Sequence, residues 1–360
     1  MTSWTVTQPE ASTARRIPMY VPEFAADPLA AYRRMRAEFG PLVPVELAPG
    51  IPATLVIGYL QARRILNDPL RFPADPRTWP QAIPDTCPVK PMVERRPDAL
   101  RSVGAAHARY RAANTVAPAA VDQDELRALV EKVADTAIEE FGTGGRAHLL
   151  SQYARPGAVR VLSTLLGCPD DIERRVVEAM AAISDDVNAT GGNRLLLEDV
   201  VDLVTLRRRQ PADDITSRLL TQVARLDDQE TVHQLVALYR VGIEPLVNLI
   251  TDAIFRLLLD EPSSGARPTG GSAAREALDT VPHTGPPLAA GCVSCPPDPV
   301  EIDGVLLPAY QPVVISMAAC YDDPAVTGGT DGRTGGNGAG LAWSAGPHAC
   351  PARHGPHPSR

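Results

Sequence analysis

Residues 228–260, DQETVHQLVALYRVGIEPLVNLITDAIFRLLLD, follow a 3.6-residue period with apolar side chains on most faces. A helix with so little polar surface needs partners nearly all round, so the run predicts a central buried helix in a large helical domain. The rest of the chain supplies such partners. Stretches 60–69, 106–117, 123–141, 149–167, 171–187, 195–209 and 213–223 share the helical period. A further helix is predicted over 27–41, opened by Asp27 with Pro28 behind it and closed by Gly40-Pro41.

Strand-forming sequence comes from both ends. Residues 42–59 hold two β-rich runs either side of Pro49-Gly50, a hairpin signal, and 300–319 reads as strand, turn, strand. The two regions are expected to share one sheet, which makes the fold mainly α with a small β component (α+β). Proline-rich 70–100 and the Gly/Ser/Pro stretches 261–274 and 328–340 read as loops. The expected organisation is a loose arm over 1–16, one domain over 17–353 and a non-helical tail over 354–360.

Charge and cysteine usage narrow the function. A net charge of −8 gives no field that favours nucleic acid or anionic lipid. The run Arg207-Arg208-Arg209 reads as a solvated helix end rather than a phosphate site. There is no apolar run of about 18 residues to span a membrane, and the first residues carry no signal-peptide core. Six scattered cysteines suit free thiols in a reducing, cytoplasmic setting.

Cys350 follows Gly346-Pro347-His348. Four chemistries suit a cysteine in that frame: a buried structural thiol, a thiol–histidine pair, a zinc ligand with Cys292-Val-Ser-Cys295, or a thiolate ligand to haem iron. Two residues seldom face each other across a single intervening residue in a turn, which disfavours the pair. A lone CxxC is a weak zinc signal.

The run Trp343-Ser-Ala-Gly346-Pro-His348-Ala-Cys350-Pro-Ala resembles the haem-binding loop of the cytochrome P450 family. Further stretches are similar to that family in the same order. They are the strands and helix of 43–69, the His-x-Arg-x-Arg helix at 103–111, the central helix at 235–254 and the hairpin region at 300–326. The resemblance implies haem b as cofactor, Cys350 as the axial iron ligand, and His107, Arg111 and His348 on the haem propionates. It places Trp343 beside the porphyrin, Gly346 at the turn near the sulfur, and Gly242 where the central helix crosses the haem. It also implies a monooxygenase that inserts one oxygen atom of O2 into a small organic substrate, with a ferredoxin and a ferredoxin reductase as electron donors.

Departures from the family pattern concern the chemistry. Where the family has an acid followed by threonine, this chain has Glu244 and Pro245, so proton delivery falls to Glu244 and water. Glu244 is otherwise a solvated side chain. The Glu-x-x-Arg pair is absent: Asp279 follows Glu276, and no arginine occurs between Arg275 and Arg333. After Cys350 the sequence PARHGPHPSR cannot form the packed helix and strands that follow the ligand loop in the family, and it reads as a truncated or frame-shifted end. The alternative reading is therefore a non-catalytic pseudoenzyme or partner-binding scaffold of the same fold, poor in haem or free of it.

Overall fold

The computed structural model describes residues 15–351, except 80–86, 88, 91–93, 143, 145, 185–188, 223, 260–273, 275–276, 279–280, 282–289 and 328–339. The Glu276–Asp279 site and the tail over 354–360 lie outside the described residues.

The central run is one helix, Asp228–Leu259, here α10. It starts with a reciprocal cap: Glu230 N donates to Asp227 Oδ1 (2.7 Å) and Asp227 N donates to Glu230 Oε2 (3.1 Å). Around it pack α4 (Gly104–Ala119), α6 (Arg155–Leu165), α7 (Asp170–Ser184), α8 (Ala189–Arg209) and α9 (Ile215–Thr221). Their apolar faces make one core with Leu235, Tyr239, Ile243 and Val247 of α10. The Tyr239 hydroxyl is satisfied inside this core by Ser163 Oγ (2.9 Å) and Cys168 Sγ (3.3 Å). Burial pushes the Cys168 thiol up to about 11, so it stays protonated at neutral pH.

The sheet joins the two ends of the chain. Its strand order is β1-β2-β3-β7-β4, with β1 Ile17–Pro18, β2 Leu42–Ala48, β3 Ile51–Val56, β4 Ala290–Ser294 and β7 Val313–Ser316. β2 and β3 form the expected hairpin about Gly50, and β3 runs parallel to β7 through Thr54↔Val313 to Val56↔Ile315. Helix α2 (Pro28–Phe39), capped by Asp27, lays Tyr32 and Met35 on one face with Val43, Val45, Leu55 and Val314. On the other face lie α3 (Tyr59–Leu66), α11 (Met317–Tyr321) and Leu341.

Five expectations are corrected. Strands β5 (Val300–Ile302) and β6 (Val305–Leu307) form a separate two-stranded sheet, closed by Asp303-Gly304 with φ of 51° and 80°; only β7 reaches the main sheet. The stretch 149–167 is not one regular α-helix. Residues Leu149–Ala154 take a wider π turn, in which Arg155 N–H donates to the Leu150 carbonyl. Pro156 lacks the N–H that a regular turn would direct at Gln152, which favours the change of register. In the arginine run, Arg207 is half-buried, donating to the Gly167 carbonyl and pairing with Asp214 (2.9 Å), whereas Arg208, paired with Asp228, and Arg209 are exposed at the helix end as expected. Finally, α8 starts at Ala189, six residues before the expected start, and the 70–100 region contains two 3-10 turns.

Candidate haem site

The cysteine loop is fixed to the sheet layer at three points. Leu341 is fully buried under α3 and α11, and the Ala342 N–H donates to the Tyr321 hydroxyl (2.9 Å). Gly346, at φ 65°, fits so closely on the end of α3 that a Cβ there would stand 2.0 Å from the Leu66 carbonyl oxygen. Only glycine tolerates both the torsion and the approach. Residues Gly346–His348 then make a 3-10 turn, and the Cys350 N–H returns to the Trp343 carbonyl (2.9 Å). The loop presents a half-buried Cys350, with Trp343 half-buried at its base.

Helix α4 comes to this loop from the other side. It is tied to α10 by Asn114 Nδ2 donating to Gln234 Oε1 (2.9 Å), and by Arg109 Nη1 (2.9 Å) and the Tyr110 hydroxyl (2.9 Å) donating to Glu230. With that face committed, His107 and Arg111, one turn apart, meet the cysteine loop. The rings of His107 and His348 stand 4.3 Å apart, centroid to centroid, tilted by 46°. His348 donates to the Ala99 carbonyl, and burial with the neighbouring His107 pulls it down to about 4. His107 is lowered by burial and then by Arg111. Arg111 is lowered by burial, partly offset by the nearby Cys350.

The haem implied by this loop can be tested on these residues. Two imidazoles and a guanidinium converge next to a thiol, and His107 Nε2 is buried with no hydrogen-bond partner among the described residues. Such a cluster is destabilised alone and completed by anions, and carboxylates suit it. The residues fit haem: His107, Arg111 and His348 would hold its propionates, and Cys350 would supply a thiolate ligand.

The central helix supplies less than expected. Gly242 is exposed, and a Cβ there would meet no described atom within 4 Å, so the helix has open space at that point. Pro245 is buried and leaves the Val241 carbonyl without its helical donor. Glu244 is not isolated on an apolar wall. Its carboxylate pairs with Arg155 at the start of α6, at 3.3 Å for each of two hydrogen bonds. Sequence reasoning missed Arg155, Tyr321 and the basic residues Arg96, Arg101 and Arg240. Arg240 had a visible signal, as a charge inside the most apolar run of the chain. Among the described residues no three His, Cys, Asp or Glu side chains are placed to hold a metal ion, and no helix is long and apolar enough to cross a membrane.

No protein-family model matches the chain. It is 28% identical over 313 residues to the cytochrome P450 monooxygenase PikC of Streptomyces venezuelae, covering 84% of this chain and 73% of that protein. It is 26% identical over 320 residues to 6-deoxyerythronolide B hydroxylase of Saccharopolyspora erythraea, covering 84% and 77%. Among solved structures, CYP154C4 of Streptomyces sp. ATCC 11861 superposes with a TM-score of 0.79 at 24% identity, over 94% of this chain and 86% of that one. The curated relatives and the solved structures that this chain resembles are cytochrome P450s. Its mainly helical fold with a small sheet is the fold of its structural neighbours. It departs from the cytochrome P450 pattern at Pro245.

Proposed function

We propose that this protein is a haem-thiolate monooxygenase that acts on a small organic substrate and draws electrons from a ferredoxin served by a ferredoxin reductase. The observation that carries the reading is the convergence of His107, His348 and Arg111 on the Cys350 loop, with a buried ring nitrogen unpartnered. The curated relatives support it as monooxygenases and hydroxylases. When bound, haem b would supply an iron centre, thiolate-ligated by Cys350, able to activate O2 for insertion of one oxygen atom.

The chain's own residues do the remaining work. Hydrogen bonding in the Gly346 turn holds Cys350 in place. Arg111 would neutralise a propionate, and His107 and His348 would orient it by hydrogen bonding. Glu244 is the proton carrier nearest the Pro245 position, and Arg155 holds its carboxylate until a water chain reaches it. Because Pro245 has no hydroxyl, nothing at that position donates to an oxygen ligand.

The pseudoenzyme reading draws on the same proline. It keeps the fold, holds little or no haem, and loses the oxygen chemistry. Turnover under 18O2 with a surrogate ferredoxin and reductase separates the two. The monooxygenase reading expects one labelled oxygen atom in the product across a panel of organic substrates. Little or no haem uptake together with no labelled product would support the pseudoenzyme.

A further inference from the structure

Outside the haem site, a group of half-buried charges gathers where residues 94–102 meet α10, one to three turns before Glu244. His233 and Arg240 are two turns apart on one face, with buried Ala237 between them. The segment over 94–102 lies across this face, held by fully buried Gln234. Gln234 Nε2 donates to the Pro97 carbonyl (2.8 Å), and its Oε1 accepts from the Ala99 N–H (3.2 Å) as well as from Asn114.

The charges there do not balance. Glu94 is paired with Arg96 at 3.0 Å. Asp98 is paired with Arg101 at 3.4 Å and accepts the Leu100 and Arg101 N–H groups at 2.9 Å each. Each carboxylate already has its own arginine, so Arg240 carries the surplus charge among the described residues. Its Nη1 is buried without a hydrogen-bond partner, and so is His233 Nδ1. Burial, then repulsion from Arg96 and Arg101, pulls Arg240 down to about 10, with Asp98 and Glu94 offsetting only part of the shift. Beyond it, Val241 is exposed and Gly242 borders open space.

A buried guanidinium held among other guanidiniums is unfavourable unless an anion joins it. A single surplus charge matches a monoanion better than a phosphate dianion. We propose that Arg240, with Arg96 and Arg101 beside it, binds the carboxylate of an organic ligand and so anchors the charged end of the substrate. As a statement about substrate this rests on the monooxygenase reading; as a statement about an anion site it does not. A haem propionate offers the same chemistry, so the test must tell the two sources apart.

The probe pair is 1-naphthoate and its neutral isostere 1-naphthamide, titrated calorimetrically into the full chain with and without haem. The expected result is naphthoate binding at least about tenfold tighter than the amide in both forms. The preference collapses in Arg240→Gln and returns in part in Arg240→Lys. Removing an uncompensated buried charge should not unfold the protein, so Arg240→Gln is expected to melt no lower than the parent, with naphthoate raising only the parent's Tm. Cys350→Ala keeps the preference, which separates this site from any failure of the haem reading. Equal affinities in the parent, or a preference that survives Arg240→Gln, overturn the proposal. Naphthoate binding that disappears on haem loading assigns the anion to the porphyrin and overturns the substrate claim.

Discussion

Two glycines of the candidate site work in opposite ways. Gly346 combines a left-handed φ with a Cβ position 2.0 Å from the Leu66 carbonyl oxygen. Gly346→Ala is expected to cost at least about 2 kcal/mol, since the torsion alone costs about 1–2 kcal/mol before any clash is relieved. Gly242, by contrast, sits inside a helix beside open space. Gly242→Ala is expected to stabilise the protein without haem by about 0.5–1 kcal/mol. Urea unfolding of the two variants measures both signs. Equal effects would mean that the cysteine loop does not rest on α3 as described. The turn glycine was legible in the sequence, because Gly-Pro-His-x-Cys demands it. Its companion Tyr321 was not, because a tyrosine hydroxyl that accepts from a backbone N–H 21 residues away leaves no local pattern.

Among the elements, α10 organises the rest, and its first turn carries the most polar work. Glu230 completes the reciprocal cap with Asp227 and accepts from Arg109 and Tyr110 of α4, which sets the face that turns His107 and Arg111 toward the cysteine. The hydrogen bond from Arg109 is the main reason the Glu230 carboxyl is held below its usual 4.5. A depressed carboxylate contributes stability that is complete above its unfolded value and lost as pH falls through the folded one. Glu230→Gln should therefore cost about 1–2 kcal/mol at neutral pH. The difference from the parent should shrink as pH falls below about 4.5, as followed by urea unfolding across that range. A difference that stays constant into acid would mean the carboxylate charge is not what joins the two helices. Helix existence was readable here from period alone. Interruptions were harder, and the π turn at Leu149–Ala154 reflects Pro156, a backbone effect that side-chain periodicity does not record.

At the scale of the whole molecule, the two ends of the chain meet in one sheet, and Arg36 spans the join. Its Nη2 donates to the Ile57 carbonyl (3.0 Å) and the Ala319 carbonyl (2.6 Å), tying α2 to the ends of β3 and α11, while Arg33 pairs with Asp322 nearby. Arg36→Ala is expected to lower stability by about 2–3 kcal/mol, through two carbonyls left without donors and lost packing of the arginine stem. Arg33→Ala, at an exposed pair, should cost well under about 1 kcal/mol. Thermal melts compare the two, and equal losses would contradict the assigned join. Sharing of the sheet between the ends was expected from strand-rich runs at 42–59 and 300–319. Which strand joins was not, because β5 and β6 are as apolar as β7 and only the Asp303-Gly304 turn sends them back on themselves. In the site, the sequence motif assembled Cys350, His348, His107 and Arg111, which the fold does bring together. Arg155 and Arg240 act across helices distant in sequence, so no motif marks them. The account as a whole turns on the thiol of Cys350. The most direct measurement is the absorption spectrum of the full chain loaded with haem, reduced and exposed to carbon monoxide. The account predicts a Soret band shifted strongly to the red, as a thiolate ligand requires, and abolished in Cys350→Ala. A spectrum of the histidine-ligated type, or one unchanged by Cys350→Ala, would contradict it.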